Sequence, residues 1–162
     1  MILEQLNNLP IENFDLEVFN DISNRINDSF DGKVIHALPL PQQVVYATFW
    51  MEFEVYNGGF NQFFWNSSGV LIDDAIRGYK ILGVEEPARI AQEALDRVMK
   101  HQKTFIELQK RNTPEAFQES YDKIDLEDLN QKWYKEFTPP TDERIKYIKD
   151  NIEDFVTDDS ES

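Results

Sequence analysis

Residues 42–56 predict a helix that is apolar on almost every side. Val44, Val45, Ala47, Phe49, Trp50, Met51, Phe53 and Val55 leave no broad polar face, and such a helix must be enclosed by others. Pro39 and Pro41 stand where a first turn tolerates proline, and Asn57-Gly58-Gly59 stops the element. Glu52 and Glu54 lie inside it, and no stretch reaches the roughly 18 uncharged apolar residues that a membrane helix needs. A chain built around this segment is a helical bundle with residues 42–56 at its centre.

The flanking sequence supplies the enclosing helices. Leu16, Phe19, Ile22, Ile26 and Phe30 recur at spacings of three and four and predict one stripe. Asn13 is placed to cap that helix, Asp31-Gly32 to end it, and Asp15, Glu17, Asp21 and Asp28 fall toward solvent. Phe60–Trp65 reads as a short aromatic helix, broken at Asn66-Ser67-Ser68-Gly69. Val70–Leu82 is ended by Gly83. Glu86-Pro87 opens the longest helix, reaching about Lys110, with Ile90, Ala94, Leu95, Val98, Phe105, Ile106 and Leu108 inward. Thr113-Pro114 and Asp125 open two more, and Thr141 caps a last one carrying Ile145, Ile148, Ile152 and Phe155. No alternating strand pattern of convincing length occurs. The expected architecture is all-α: a single compact multi-helix bundle with short connecting loops over residues 1–156, and an acidic flexible tail over 157–162.

Among 162 residues, 41% are hydrophobic and 12 are Phe, enough for a core. The absence of Cys excludes disulfides and thiolate metal sites. The start, Met1-Ile2-Leu3-Glu4-Gln5, lacks the basic and apolar regions of a signal peptide, so the cytoplasm is the expected location.

Charge is the outlier. Asp and Glu number 31 against 16 Lys and Arg, a net −15. Residues 1–31 hold seven acids and one base, and residues 112–162 hold 15 acids and six bases, whereas 73–111 hold seven acids and eight bases. The excess sits at the two chain ends. It opposes direct binding to nucleic acid or an anionic membrane, which need basic surfaces, and favours a cationic partner. Candidate partner-binding acids are Asp15, Glu17, Asp21, Asp28, Asp122, Asp125, Asp128, Asp142, Glu143, Asp150, Glu153 and Asp154.

Reactive constellations are sparse. His36 and His101 fall in different elements, no calcium loop or G-x-S-x-G elbow is present, and Gly58-Gly59 lacks the following Lys-Ser/Thr of a phosphate loop. No cofactor is expected. Glu52 and Glu54 could form an acid/base pair, or could pair with Arg and cap the backbone near Asn57. Phe60, Phe63, Phe64 and Trp65 could stack bases, but few cations surround them, and packing beneath a helix end accounts for them.

The segment Glu54-Val55-Tyr56-Asn57-Gly58-Gly59-Phe60-Asn61-Gln62-Phe63-Phe64-Trp65-Asn66 resembles a bacterial family of small all-helical proteins sharing an Asn-Gly-Gly-Phe-x-Gln-Phe-Phe motif, and in size and acidity the whole chain resembles a member described as a DNA mimic. Here Asn57, Gly58, Gly59, Phe60, Gln62, Phe63 and Phe64 match it. The resemblance spans about residues 40–150. It implies a homodimeric, non-enzymatic protein that occupies the DNA-binding surface of a helix-turn-helix transcription factor and keeps it off its operator. From the residues alone, two further classes stay open: an acidic immunity-type inhibitor of a basic nuclease, and a carboxylate-based metal-dependent enzyme.

Overall fold

The computed structural model describes residues 1–157. The chain forms ten α-helices among the described residues: α1 (Leu3–Asn7), α2 (Phe14–Arg25), α3 (Gly32–His36), α4 (Leu40–Trp65), α5 (Ile72–Ile81), α6 (Glu85–Lys100), α7 (Gln102–Arg111), α8 (Pro114–Lys123), α9 (Glu127–Glu136) and α10 (Thr141–Asp150). Short 3-10 turns cover Ile11–Asn13, Ser67–Leu71 and Ile152–Phe155. The fold is all-α, about 80% helical, with no strand among the described residues.

Helix α4 is the axis. Residues 41–49 are buried without interruption, and α2, α5, α8, α9 and α10 all pack on this helix. A helix apolar all round has no other stable place. Pro39 forms its N-cap, and Pro41 sits in the first turn, where no amide is needed.

The glycines do not end α4 but kink it. Gly58 has φ −157° and Gly59 φ 73°, ψ −177°, after which helical geometry resumes to Trp65. Gly59 occupies a region that only glycine enters freely. Side chains from α8 and α9 take the polar groups freed by the kink. Asn130 Oδ1 accepts from the Phe60 amide (2.9 Å), the Tyr121 hydroxyl donates to the Gly58 carbonyl (2.8 Å), and the Tyr134 hydroxyl donates to the Val55 carbonyl (2.9 Å). Asn61 Nδ2 donates to the Ile124 carbonyl (3.1 Å). Gln62 and Asn66 both donate to Glu54 Oε2, at 2.8 and 2.9 Å. Phe60, Phe63 and Phe64 are buried. The aromatic motif is thus a polar clasp around a backbone break, with its rings in the core.

A Cβ on Gly59 would meet three Asn130 side-chain atoms at 2.6–2.7 Å. Gly59→Ala is expected to lose about 1–3 kcal/mol from backbone strain alone, and more because Asn130 must leave the Phe60 amide. Chemical denaturation checks this, and an unchanged midpoint would refute the clasp.

Other elements differ from the sequence reading as well. Helix α2 stops at Arg25 because Asn27 and Asp28 adopt left-handed φ of 52° and 50°, which Asn and Asp tolerate better than most residues. Ile26 and Phe30 therefore reach the core from a turn, and Asp31 instead caps the short α3 by accepting from the Lys33 amide (2.8 Å). The 86–110 stretch, expected as the longest helix, is two helices, α6 and α7, separated at His101, so that α4 is the longest among the described residues, and Ile106 faces solvent. Asn13 does not cap α2 through its side chain, and Thr141 does not cap α10 but is its first residue, with Pro140 at the N-cap. Thr157, placed in the tail by the sequence reading, exchanges hydrogen bonds with Met1. The rest of that tail, residues 158–162, lies outside the described residues.

Candidate functional site

The two acidic ends of the chain meet. Helix α2 packs against α10, and the 3-10 turn over Ile152–Phe155 packs on α4 and α10. The Met1 amine reaches Thr157 Oγ1 at 3.1 Å and Asp21 at 3.1 Å, Gln42 donates to the Asp154 carbonyl, and the Lys149 ammonium lies 5.3 Å above the Phe14 ring. Residues 1–31 and 141–157 together hold twelve acids against four bases, and with Asp15 and Arg144 both buried the surface keeps eleven acids and three bases.

Most of the candidate acids of these segments face solvent. Asp28, Asp142, Glu143, Asp150, Glu153 and Asp154 are exposed, and Glu17 and Asp21 are half-buried. Asp21 is neutralised in part by Arg25 at 3.0 Å and by the Met1 amine. Asp150 pairs with Lys146 one turn away. Asp28 accepts from the Ser23 hydroxyl at 2.5 Å, which fixes its carboxylate beside the end of α2. Asp122, Asp125 and Asp128 sit elsewhere, around the α8–α9 turn, on helices that pack on α4, α6 and α7. Asp128 is held by Arg97 at 2.5 and 2.8 Å, and that donation keeps its carboxyl below the usual range. Asp125 accepts from the Glu127 amide (3.0 Å) at the start of α9.

Asp15 does not belong to the surface set. It is 5% exposed and accepts from Arg144 Nε at 3.0 Å. Its placement toward solvent followed from its charge, although Phe19 and Ile22 lie four and seven residues beyond it on the same helix face. The inward face is instead Phe14, Asp15, Val18, Phe19 and Ile22.

Behind the acidic face lies a buried ion cluster. Arg144 is 1% exposed, and its two terminal nitrogens each meet a Glu52 oxygen at 3.0 Å, while Nη1 also donates to Thr48 Oγ1 at 2.9 Å. The guanidinium carbon stands 3.9 Å over the Phe49 ring, a cation–π arrangement. The Tyr79 hydroxyl donates to Glu52 Oε1 at 3.3 Å. Burial raises the Glu52 carboxyl above the ordinary carboxylate range, and Arg144 opposes that shift. Burial by itself would lower the Arg144 guanidinium, but Glu52 and Asp15 hold it above its usual value. Burial pushes the Tyr79 hydroxyl well above 10.

This geometry decides between the two sequence readings of Glu52 and Glu54. Residues two apart on a helix point away from each other. Both Glu52 oxygens are engaged by Arg144, whereas Glu54 braces Gln62 and Asn66 on the far side. They do not form a carboxylate pair. The histidines are also separate: His36 Nε2 contacts Asp74 Oδ2 at 3.1 Å, and His101 lies exposed at the α6–α7 break. Among the described residues no three His, Asp or Glu side chains gather in a metal-binding arrangement, and no helix is long and apolar enough to cross a membrane.

Fold and surface together define a helical bundle whose two acidic chain ends pack together over a buried arginine–carboxylate cluster. The chain belongs to the DMP19-like protein family, whose model matches residues 36–151. That family is of the DNA-mimic type and points to a non-enzymatic role. Comparison with curated proteins and with solved structures gave no match. The matched span contains Glu52, Arg144 and the glycine clasp, whereas α1, α2 and Asp15 precede it.

Proposed function

We propose that the protein is a DNA mimic that occupies the basic DNA-binding surface of a helix-turn-helix transcription factor and keeps it off its operator. The observation that carries this reading is the joining of the two acidic chain ends on α2 and α10, with Glu17, Asp28, Asp142, Glu143, Glu153 and Asp154 in no ion pair among the described residues. Duplex DNA presents one charge about every 1.7 Å of axis, counting both strands. Acids three or four apart on a helix lie roughly 5–6 Å from one another, as Glu17 and the partly neutralised Asp21 do on α2. Acids on two adjacent rigid elements supply two rows of charge, and a homodimer extends the array. Asp122, Asp125 and Asp128 add charge at the α8–α9 turn. The protein acts in the cytoplasm in this reading, and it needs no cofactor.

Affinity capture from the native lysate identifies the regulator. A gel shift with that regulator and its operator then tests the mechanism. The expected result is mutual exclusion, with operator DNA released as the protein is added. A single band containing protein, regulator and operator at low salt would overturn the proposal, because a mimic and the molecule it imitates cannot share one site.

A further inference from the structure

A groove of about 320 Å³ opens between the start of α6 and the link joining α9 to α10. Its walls are apolar and stiff. Ile90 and Phe137 form the floor, both almost fully buried, with Pro87, Pro139 and Pro140 beside them. Phe137 is stacked on Trp133 at 4.1 Å between ring centres, so the floor is backed by core. The rim is anionic: Glu85, Glu86, Glu136 and Glu143 all line it and are exposed. Two cations stand near the rim: Arg89, which donates to Glu86 at 2.9 and 2.5 Å and also pairs with Glu93 at 3.6 Å, and Lys132, close enough to act on Glu86 through space, so four rim carboxylates face two cations. Glu85, Glu136 and Glu143 are in no ion pair among the described residues.

An apolar cleft ringed by carboxylates suits one kind of occupant. A long cationic side chain lays its methylene stem on apolar surface while its charged head stays at the polar edge. A neighbouring aliphatic residue would fill the remaining floor. A phosphate, a nucleic acid or an acidic peptide is repelled by the rim. We propose that this groove receives an arginine or lysine flanked by an aliphatic residue from the basic protein partner, which makes it an anchor at one end of the acidic face. Glu143 stands at both places, in the first turn of α10 and on the groove rim. The inference rests on the reading of the partner as a basic DNA-binding protein, and it adds to that reading a site with shape as well as charge.

The test uses the full chain, isotopically labelled, and two synthetic peptides of equal charge. One carries Arg-Leu-Arg and the other Arg-Ser-Arg. NMR titration at low ionic strength is expected to shift the signals of Ile90, Phe137 and Thr138, with the leucine peptide binding about tenfold more tightly, equivalent to about 1.4 kcal/mol of leucine side-chain burial. Two variants localise the effect. Thr138 is exposed, so Thr138→Trp fills the groove without entering the core, and Glu136→Gln with Glu143→Gln removes two of the four rim charges. Each is expected to weaken the leucine peptide about tenfold while the serine peptide loses affinity only in the rim variant. Equal binding of the two peptides, or shifts unaffected by Thr138→Trp, overturns the groove. Shifts confined to α2 and α10 overturn it too, yet leave the mimic reading standing. If the groove binds as described but the captured regulator forms a ternary complex with its operator, the mimic reading fails and the groove remains.

Discussion

Replacing Arg144 by methionine is expected to destabilise the protein by about 3–5 kcal/mol, the range for removing one partner of a buried ion cluster. Methionine matches the apolar bulk of the side chain, so the loss is chiefly electrostatic. Glu52 and Asp15, 5% exposed each, would be left without their cation, and Thr48 without its donor. A pH series separates this from a packing defect. In the native protein burial already raises the Glu52 carboxyl above the ordinary range, and Arg144 pulls it back. Without Arg144 the folded-state value must rise further. A carboxyl whose folded value lies above its unfolded value contributes stability below the unfolded value and loses it as pH rises through the folded value. The deficit of Arg144→Met should therefore be largest near neutrality and shrink as pH falls toward the unfolded Glu value of about 4.3. Urea melts of the wild type and variant at neutral and mildly acidic pH check this. A deficit constant with pH would assign the loss to packing. Glu52→Gln gives a contrasting expectation: it removes the excess negative charge of the cluster and keeps an acceptor for Arg144, so it should be far milder than Arg144→Met.

That cluster is also where the sequence was hardest to read. The central helix was legible because eight apolar residues within a fifteen-residue segment admit only an enclosed place. Pro39, Pro41, Thr113 and Gly83 carry local chemistry that needs no knowledge of the rest of the fold: Thr113 Oγ1 accepts from the Ala116 amide at 3.2 Å, and Gly83 takes φ 78°. Asp15 is a surface residue by polarity and a core residue by spacing, and the spacing prevails. Phe14, Val18 and Ile22 are spaced by four, and Asp15 and Phe19 repeat that spacing on the adjacent row, so the inward face was present in the pattern. Arg144 carries a similar signal, one turn before the buried Ile148. A charged residue at a core position gains a reading only when an opposite charge is found at another, and Asp15 and Arg144 stand 129 residues apart. The kink at Gly59 was hidden for the same reason, since the Asn130 that accepts from the Phe60 amide is 70 residues away. Two adjacent glycines end a helix when nothing takes up the freed amide, and kink it when a distant side chain does.

The same distinction governs which acids can recognise a partner. Neutralising Glu17, Asp142, Glu143, Glu153 and Asp154 together, as the Gln and Asn variants, is expected to weaken regulator binding by about a hundredfold or more, because complementary charge across an interface controls both encounter and register. The effect should be greatest at low salt and fade as ionic strength rises, since exposed charges are screened beyond about 8 Å at physiological salt. Stability should change little, because none of the five is in an ion pair or in the core among the described residues. Asp15→Asn predicts the opposite pattern: altered stability through Arg144, with binding by the folded fraction unchanged. Surface plasmon resonance across a salt series, with thermal melts of each variant, reads both axes at once. The five-site variant should lose most of its association rate and most of its salt dependence together, as expected when several charge pairs steer the encounter. Unchanged affinity in that variant, with wild-type salt dependence, would show that the regulator reads some other surface and that the joined chain ends serve only solubility.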